Sequence, residues 1–186
     1  FSATMPKDIS ELASKYLTNP EKVAVTPVAT TAERVQQTAT LVNQNEKQAL
    51  LTVMLEREPI ERALVFTRTK HGADRVARHL LAANIKAAAI HGNKSQAQRE
   101  RALEAFREGK CPVLVATDIA ARGIDIDGVS HVINFEVPNV PEQYVHRIGR
   151  TARAGADGLA ISFVAKDERS YLRDIEKLTR QSLQMV

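Results

Sequence analysis

The densest polar chemistry in the sequence reads Tyr144-Val145-His146-Arg147-Ile148-Gly149-Arg150-Thr151-Ala152-Arg153-Ala154-Gly155. Arg147 and Arg150, and then Arg150 and Arg153, stand three apart on an expected helix, where like charges repel by roughly a few tenths of a kcal/mol per pair. Such crowding calls for a resident anion. Guanidinium suits that task, because its planar fork stays charged and binds phosphate oxygens two at a time. The alternative is a generic basic helix end in water. Asn139 is placed to cap this helix, with Glu142 answering three residues on.

Three further polar stretches each follow an apolar run. After Leu64-Val65-Phe66 comes Thr67-Arg68-Thr69-Lys70-His71-Gly72. Hydroxyls and loop amides at a helix start suit a phosphate, since the helix leaves N–H groups unpaired there. Otherwise Thr69 only caps its helix. The second stretch is His91-Gly92-Asn93-Lys94-Ser95-Gln96-Ala97-Gln98-Arg99, where Ser95 and Gln98 have capping-box spacing. Arg99 then falls in the first turns, a position a cation disfavours by dipole unless an anion is near; the alternative is a solvated surface arginine. The third is Ala116-Thr117-Asp118-Ile119-Ala120-Ala121-Arg122-Gly123-Ile124-Asp125. Asp118 or Asp125 could pair with Arg122 as a structural bond, and Asp125 is also an acceptor of the kind a ribose hydroxyl needs.

The elements that must hold these stretches alternate along the chain. Strands are expected over Val35–Val42, Ala63–Thr67, Lys86–Ile90, Pro112–Ala116, His131–Phe135 and Leu159–Val164. Helices are expected near Glu46–Arg57, Gly72–Ala83, Gln96–Glu108, Val140–Arg150 and Glu168–Leu178. Short Val/Ile/Leu/Ala strands alternating with amphipathic helices predict an α/β fold with a mostly parallel sheet covered on both faces. Ligands of such sheets bind at the carboxyl ends of the strands, where the polar stretches fall. Upstream, Lys7–Leu17 carries one apolar stripe, Pro20 closes it, Lys22–Val25 is strand-like, and Thr26–Glu33 reads as a linker. The expected division is residues 1–30 as the stub of a preceding domain plus linker, and 31–186 as the main domain.

A chain of 186 residues with 44% hydrophobic content can bury a real core. The net charge of +4 favours polyanionic partners without requiring them. The single Cys111 gives neither a disulfide framework nor a metal cluster, which predicts a reducing, cytoplasmic setting. No apolar run approaches the roughly 20 residues that cross a bilayer, and no signal-peptide pattern opens the chain, so no membrane partner is expected. The start at Phe1, without Met, predicts an excised segment.

What is missing narrows the chemistry. A phosphate-cradling G-x-x-x-x-G-K-[ST] loop is approached only by Gly123 to Gly128, followed by Val129-Ser130, and its lysine is absent. No acidic Mg²⁺ motif follows an early strand. The basic cluster could lend charge to a phosphate held elsewhere, as arginines donated across a domain interface do.

These stretches, taken in order, resemble the second RecA-like domain of the DEAD-box family of superfamily 2 RNA helicases, over nearly the whole chain. Ser2-Ala3-Thr4 is similar to motif III, Leu64–Thr69 to motif IV, Gln96–Arg99 to motif IVa, Ala116–Asp125 to motif V and His146–Arg153 to motif VI. The spread of the match resembles a bacterial RhlE-like member. The resemblance implies a RecA-like, P-loop NTPase-type fold and a helicase C-terminal domain. It implies that Arg150 and Arg153 are arginine fingers for the γ-phosphate, and that Gly123 and Asp125 meet the nucleotide. Ser2, Thr4, His146 and Arg147 would couple the two domains, and Thr69, Gly72, Gly92, Arg99 and Thr117 would grip the RNA backbone. ATP and Mg²⁺ would be held mainly by the N-terminal RecA-like domain of the same protein, and no metal ligand is expected in this chain. Two departures stand out: Ala152 occupies a motif VI position that is commonly Gly, one methyl more, and Asn134 stands where Asp is usual, which weakens a charge role there.

The implied mechanism is an ATP-driven closure of two domains that bends one RNA strand and opens a duplex locally. Low aromatic content, 4% with no Trp, fits backbone gripping with weak sequence preference. Two rivals remain: a stand-alone RNA-binding module, and a module whose basic helix docks an acidic protein.

Overall fold

A computed structural model describes residues 7–21, 35–57, 60–122, 128–153 and 157–186. The expected strand at Lys22–Val25, the linker and its boundary, Ser2, Thr4, Gly123 and Asp125 lie outside the described residues.

The described chain begins with α1 (Lys7–Tyr16), whose Ile9, Leu12 and Tyr16 are exposed, as is Leu17 just past its end. The main succession is β1 (Val35–Leu41), α2 (Lys47–Arg57), β2 (Ala63–Phe66), α3 (Lys70–Ala82), β3 (Ala87–Ile90), α4 (Gln96–Arg107), β4 (Val113–Ala116) and the one-turn α5 (Asp118–Ala121). It continues with β5 (His131–Asn134), α6 (Pro141–Ile148), β6 (Gly158–Val164), a 3₁₀ turn (Lys166–Glu168), α7 (Arg169–Thr179) and the two-residue β7 (Gln184–Met185). The strands form one sheet of order β3-β4-β2-β5-β6-β1-β7, parallel throughout.

Alternation along each strand explains why both faces are covered. Ala63 and Val65 of β2, Val113 and Val115 of β4, and Ile161 and Phe163 of β6 face α2 and α3, with Leu51, Val76 and Leu80 packed on them. Leu64, Phe66, Leu114 and Val132 face the other way, onto Phe106 of α4. On that same side Val35, Ala39, Ala160 and Val164 meet Tyr144, Val145 and Ile148 of α6 and Leu172 and Ile175 of α7. Each fully buried aliphatic or aromatic side chain contributes about 1.5–3 kcal/mol, so these layers supply the bulk of the favourable folding energy.

Several helix starts follow from single residues. Thr69 caps α3 by accepting from the Gly72 N–H at 3.0 Å. Ser95 and Gln98 form the reciprocal capping box expected of them at α4. At α6 the expectation fails: the cap position is Val140, with no side-chain bond, because Pro141 takes the first helical position and has no N–H in need of an acceptor there. Asn139 is therefore one residue too early.

Past α6, Ala152 adopts φ 55°, in the left-handed region. The departure from the glycine usual in the resembling motif is thus a backbone matter as well as a methyl. Left-handed backbone costs a non-glycine residue about 1–2 kcal/mol, and glycine gives back about 0.5–1 through its freer unfolded state. Ala152→Gly is expected to raise the unfolding free energy by about 0.5–1 kcal/mol in urea titration. A loss of stability would contradict this account.

Candidate functional site

Three of the polar stretches gather at the carboxyl edge of the sheet, since β3, β4 and β2 are neighbours and run the same way. Lys70 Nζ donates to Asn93 Oδ1 at 3.2 Å, joining the loops after β2 and β3. Buried His91 bonds Asp74 of α3 through Nε2 at 2.8 Å, and Lys94 reaches the same carboxylate at 2.9 Å. Partial burial works to raise the Asp74 pKa, yet the hydrogen bonds from His91 and Lys94 outweigh it and hold the carboxyl below its usual range. That clamp fixes the loop carrying Gly92, where an added Cβ would meet open space.

Thr69 is exposed, and its oxygen is used as the α3 cap. Its O–H remains a donor in kind, so capping and anion binding are compatible. Gly72, by contrast, is buried with its N–H taken by Thr69, and an added Cβ would stand 3.0 Å from the Thr69 hydroxyl. What Gly72 offers is close backbone approach. Arg99, half-buried, extends toward Ala120 O at 3.5 Å, across to the loop after β4. Thr117 holds the cap position of α5 without using its side chain for the cap.

Arg147 corrects two expectations. It is 1% exposed and paired to Asp118 through Nε at 2.6 Å and Nη2 at 2.8 Å, while Nη1 donates to Asn134 Oδ1 at 3.1 Å and Glu136 O at 2.7 Å. Its guanidinium also lies 5.0 Å from the Phe66 ring centroid. Arg147 is thus a buried internal anchor, with four of its five N–H groups bonded inside the domain and almost no surface to offer an interdomain contact, and its crowding with Arg150 is relieved by Asp118 rather than by an outside anion. Asp118 is structural, as one alternative held, but its partner is Arg147 and not Arg122. Asn134 serves as a neutral bridge, passing its amide N–H to Ser162 Oγ at 3.1 Å.

Arg150 and Arg153 lie elsewhere than the sheet's carboxyl edge. Thr151 donates to Val129 O and Ser130 O, just before β5 begins. The helix after β5 must run back antiparallel to it, so the residues past its end return toward the opposite edge. At about 3.3 Å per residue, four-residue β5 puts some 13 Å between that edge and Asn134. Arg150 and Arg153 are half-buried, with Nε on the carbonyls four residues back, His146 O at 3.3 Å and Gly149 O at 2.9 Å. Gly158 supports this turn closely, since an added Cβ would stand 2.6 Å from the Ala152 nitrogen. His146 is half-buried with an Nε2 that has no hydrogen-bond partner among the described residues.

The site also includes residues that sequence reasoning passed over. Lys47 and Glu168 form a fully buried ion pair, with Lys47 Nζ also on Phe135 O at 2.9 Å. Burial drives the Lys47 pKa below its usual range despite the opposing pull of Glu168. Glu136 and Arg68 join them. The available signal was position: Glu136 stands two residues past the buried end of β5. Among the described residues no group of three or more His, Cys, Asp or Glu could hold a metal ion, and no helix is long and apolar enough to cross a membrane.

Comparison with known proteins agrees with this arrangement. Residues 45–155 match the helicase conserved C-terminal domain. The DEAD-box ATP-dependent RNA helicase CshA of Bacillus subtilis is 47% identical over 183 residues, covering 98% of this chain and 37% of that protein, so the chain spans well under half the length of this relative. Saccharomyces cerevisiae Dbp5, solved with RNA and ADP BeF3, superposes with a TM-score of 0.86 at 31% identity, covering 100% of this chain and 50% of that one. Escherichia coli SrmB, a DEAD-box protein solved with RraA, superposes with a TM-score of 0.78 at 38% identity, covering 82% of this chain and 90% of that one. With its parallel sheet, its strand-end loops and its basic turn after α6, the chain belongs to the helicase conserved C-terminal domain family, as the C-terminal RecA-like domain of a DEAD-box protein.

Proposed function

We propose that the chain is the C-terminal half of an ATP-dependent RNA helicase, in which it grips the RNA backbone at one edge and offers arginines to ATP at another. The carboxyl edge brings Thr69, Gly72, Gly92, Arg99 and Thr117 to one side as small, hydroxyl-bearing or cationic groups that suit phosphates without reading bases. Arg150 and Arg153 fit the anionic end of a nucleotide. They would stabilise charge that develops when the γ-phosphoryl group of ATP leaves, a role that guanidinium forks fill well. By the same resemblance, Mg²⁺ and most of the nucleotide fall to a preceding RecA-like lobe. Gly123 and Asp125, and Ser2 and Thr4 as coupling residues, are part of this reading by resemblance alone. The buried cysteine favours a reducing, cytoplasmic setting.

The observation that carries the proposal is the unpartnered Nε2 of His146, shielded from water beside the arginine turn. A shielded polar nitrogen without a partner costs about 1–3 kcal/mol unless another surface completes it. A neighbouring lobe that docks here and opens the surroundings of His146 would supply that partner. The test compares ATP turnover with and without single-stranded RNA, for this chain and for the complete protein. RNA-stimulated turnover is expected only from the complete protein, and ATP hydrolysis by the chain alone would sink the reading. Tight RNA binding by the chain alone would favour the stand-alone binding module instead.

A further inference from the structure

Beneath the carboxyl edge, Lys47, Arg68, Glu136 and Glu168 form a buried or half-buried charged layer, of which only Arg68 falls within a resembling motif and none is given a role by it. Within it Glu136 uses its backbone and its carboxylate on two different elements. Its N–H donates to Phe66 O at 3.3 Å, at the end of β2. Its carboxylate accepts the Arg68 N–H at 2.8 Å and lies 3.8 Å from the Arg68 guanidinium. Oε2 also lies 3.6 Å from where a Cβ on Gly72 would stand, at the first turn of α3, where helix N–H groups favour negative charge. Its carbonyl, finally, accepts Arg147 Nη1 at 2.7 Å.

The remaining members hold Glu136 from both sides. Arg68 reaches on to Glu168 at 3.4 Å. The Glu168 carboxylate accepts the Val137 N–H at 3.2 Å and the Ala165 N–H at 3.0 Å, and pairs with Lys47, which holds Phe135 O. Phe135 and Val137, the neighbours of Glu136, are therefore pinned by groups with no exposure to water. A layer that merely stabilised strand ends could do so with separate bonds at each end. Here one residue joins the exit of β2, which presents Thr69, to the buried anchor of α6, which presents Arg150 and Arg153.

The geometry points to Glu136 as a positioning residue that sets the Thr69 loop and the Arg150–Arg153 turn in one register, so that a shift at the RNA-facing edge is felt at the ATP-facing turn. This rests on the RNA and ATP roles proposed above. Glu136 touches neither ligand itself; it acts through Arg68 and Arg147.

The test is amide hydrogen exchange in the complete protein, comparing wild type with Glu136→Ala and Glu136→Gln. Glu136→Ala is expected to speed exchange about tenfold at Arg68, which loses its acceptor, and also at Gly149 and Arg150, which do not touch the substituted side chain. Amides of β6 serve as the control and keep their protection. Glu136→Gln, whose amide oxygen still accepts from Arg68, restores protection at all three positions. Acceleration confined to Arg68 overturns the proposal, as does a general rise that includes β6. In RNA-stimulated turnover, Glu136→Ala raises the half-saturating RNA concentration about fivefold, and adding Thr69→Ala does not multiply the effect. Multiplying effects would count against the coupling. Absence of RNA-stimulated turnover in wild type would end the helicase reading while leaving the exchange result to decide the role of Glu136.

Discussion

Replacing Glu168 with alanine is expected to lower the unfolding free energy by about 3–5 kcal/mol, the cost of leaving one member of a buried ion pair uncompensated. Neither Glu168 nor Lys47 has exposure to water. Removing the carboxylate strands the Lys47 charge and leaves the Val137 and Ala165 N–H groups without their acceptor. Lys47→Met is expected to cost less, because Glu168 keeps Arg68 and both backbone donors, and the methionine fills most of the lysine volume. Combining Lys47→Met with Glu168→Ala should then fall short of the sum of the two losses. Urea unfolding of the four proteins reads this directly. A loss below about 1 kcal/mol for Glu168→Ala would show that water or a rearranged Arg68 replaces the lost partner.

The second large effect concerns activity. In the complete protein, Arg150→Ala or Arg153→Ala is expected to lower RNA-stimulated ATP turnover about 10³-fold, the scale of an arginine withdrawn from phosphoryl transfer. Stability should change by no more than about 1 kcal/mol, since both side chains are half-buried on the flank of the domain. Arg147→Ala is the contrasting variant. It leaves Asp118 without its bidentate partner and should cost about 3–5 kcal/mol of stability, so its loss of activity would follow its loss of fold. Turnover assays paired with thermal unfolding separate the two kinds of failure. If folded Arg150→Ala and Arg153→Ala proteins both keep more than about a third of wild-type turnover, the finger assignment is lost and docking of an acidic partner becomes the better account of the basic turn.

The contrast among these three arginines marks how far the sequence could be read. Apolar runs such as Leu64–Phe66 and Val113–Val115 announced their strands because buried parallel strands must be continuously hydrophobic. Thr69 and the Ser95–Gln98 pair announced helix starts because capping chemistry is local in sequence. Arg147, Arg150 and Arg153 look alike at spacing three, yet one is an internal anchor and two face the flank. What separates them is Asp118, brought close by a sheet order that no local pattern encodes. The same holds for Lys47 and Glu168, which read as ordinary helix charges until β5 and β6 bring their strand ends together. The one-turn α5 and the two-residue β7 were also missed, being too short to carry a period. Asn139 was misjudged for a local reason, since Pro141 already marked the first helical position.

The strand order also dictates when the protein can fold. β1 lies between β6 and β7, so Val35 pairs with Gly158 and Thr38 with Gln184, each made more than a hundred residues later. At about 5–20 residues per second of synthesis, the first strand waits roughly 6–25 s beside a growing chain before its neighbours exist. During that interval its Val35 and Ala39 face has no core to enter, and a nascent-chain chaperone, or a pause in translation near residue 165, would act on this strand before any other part of the sheet.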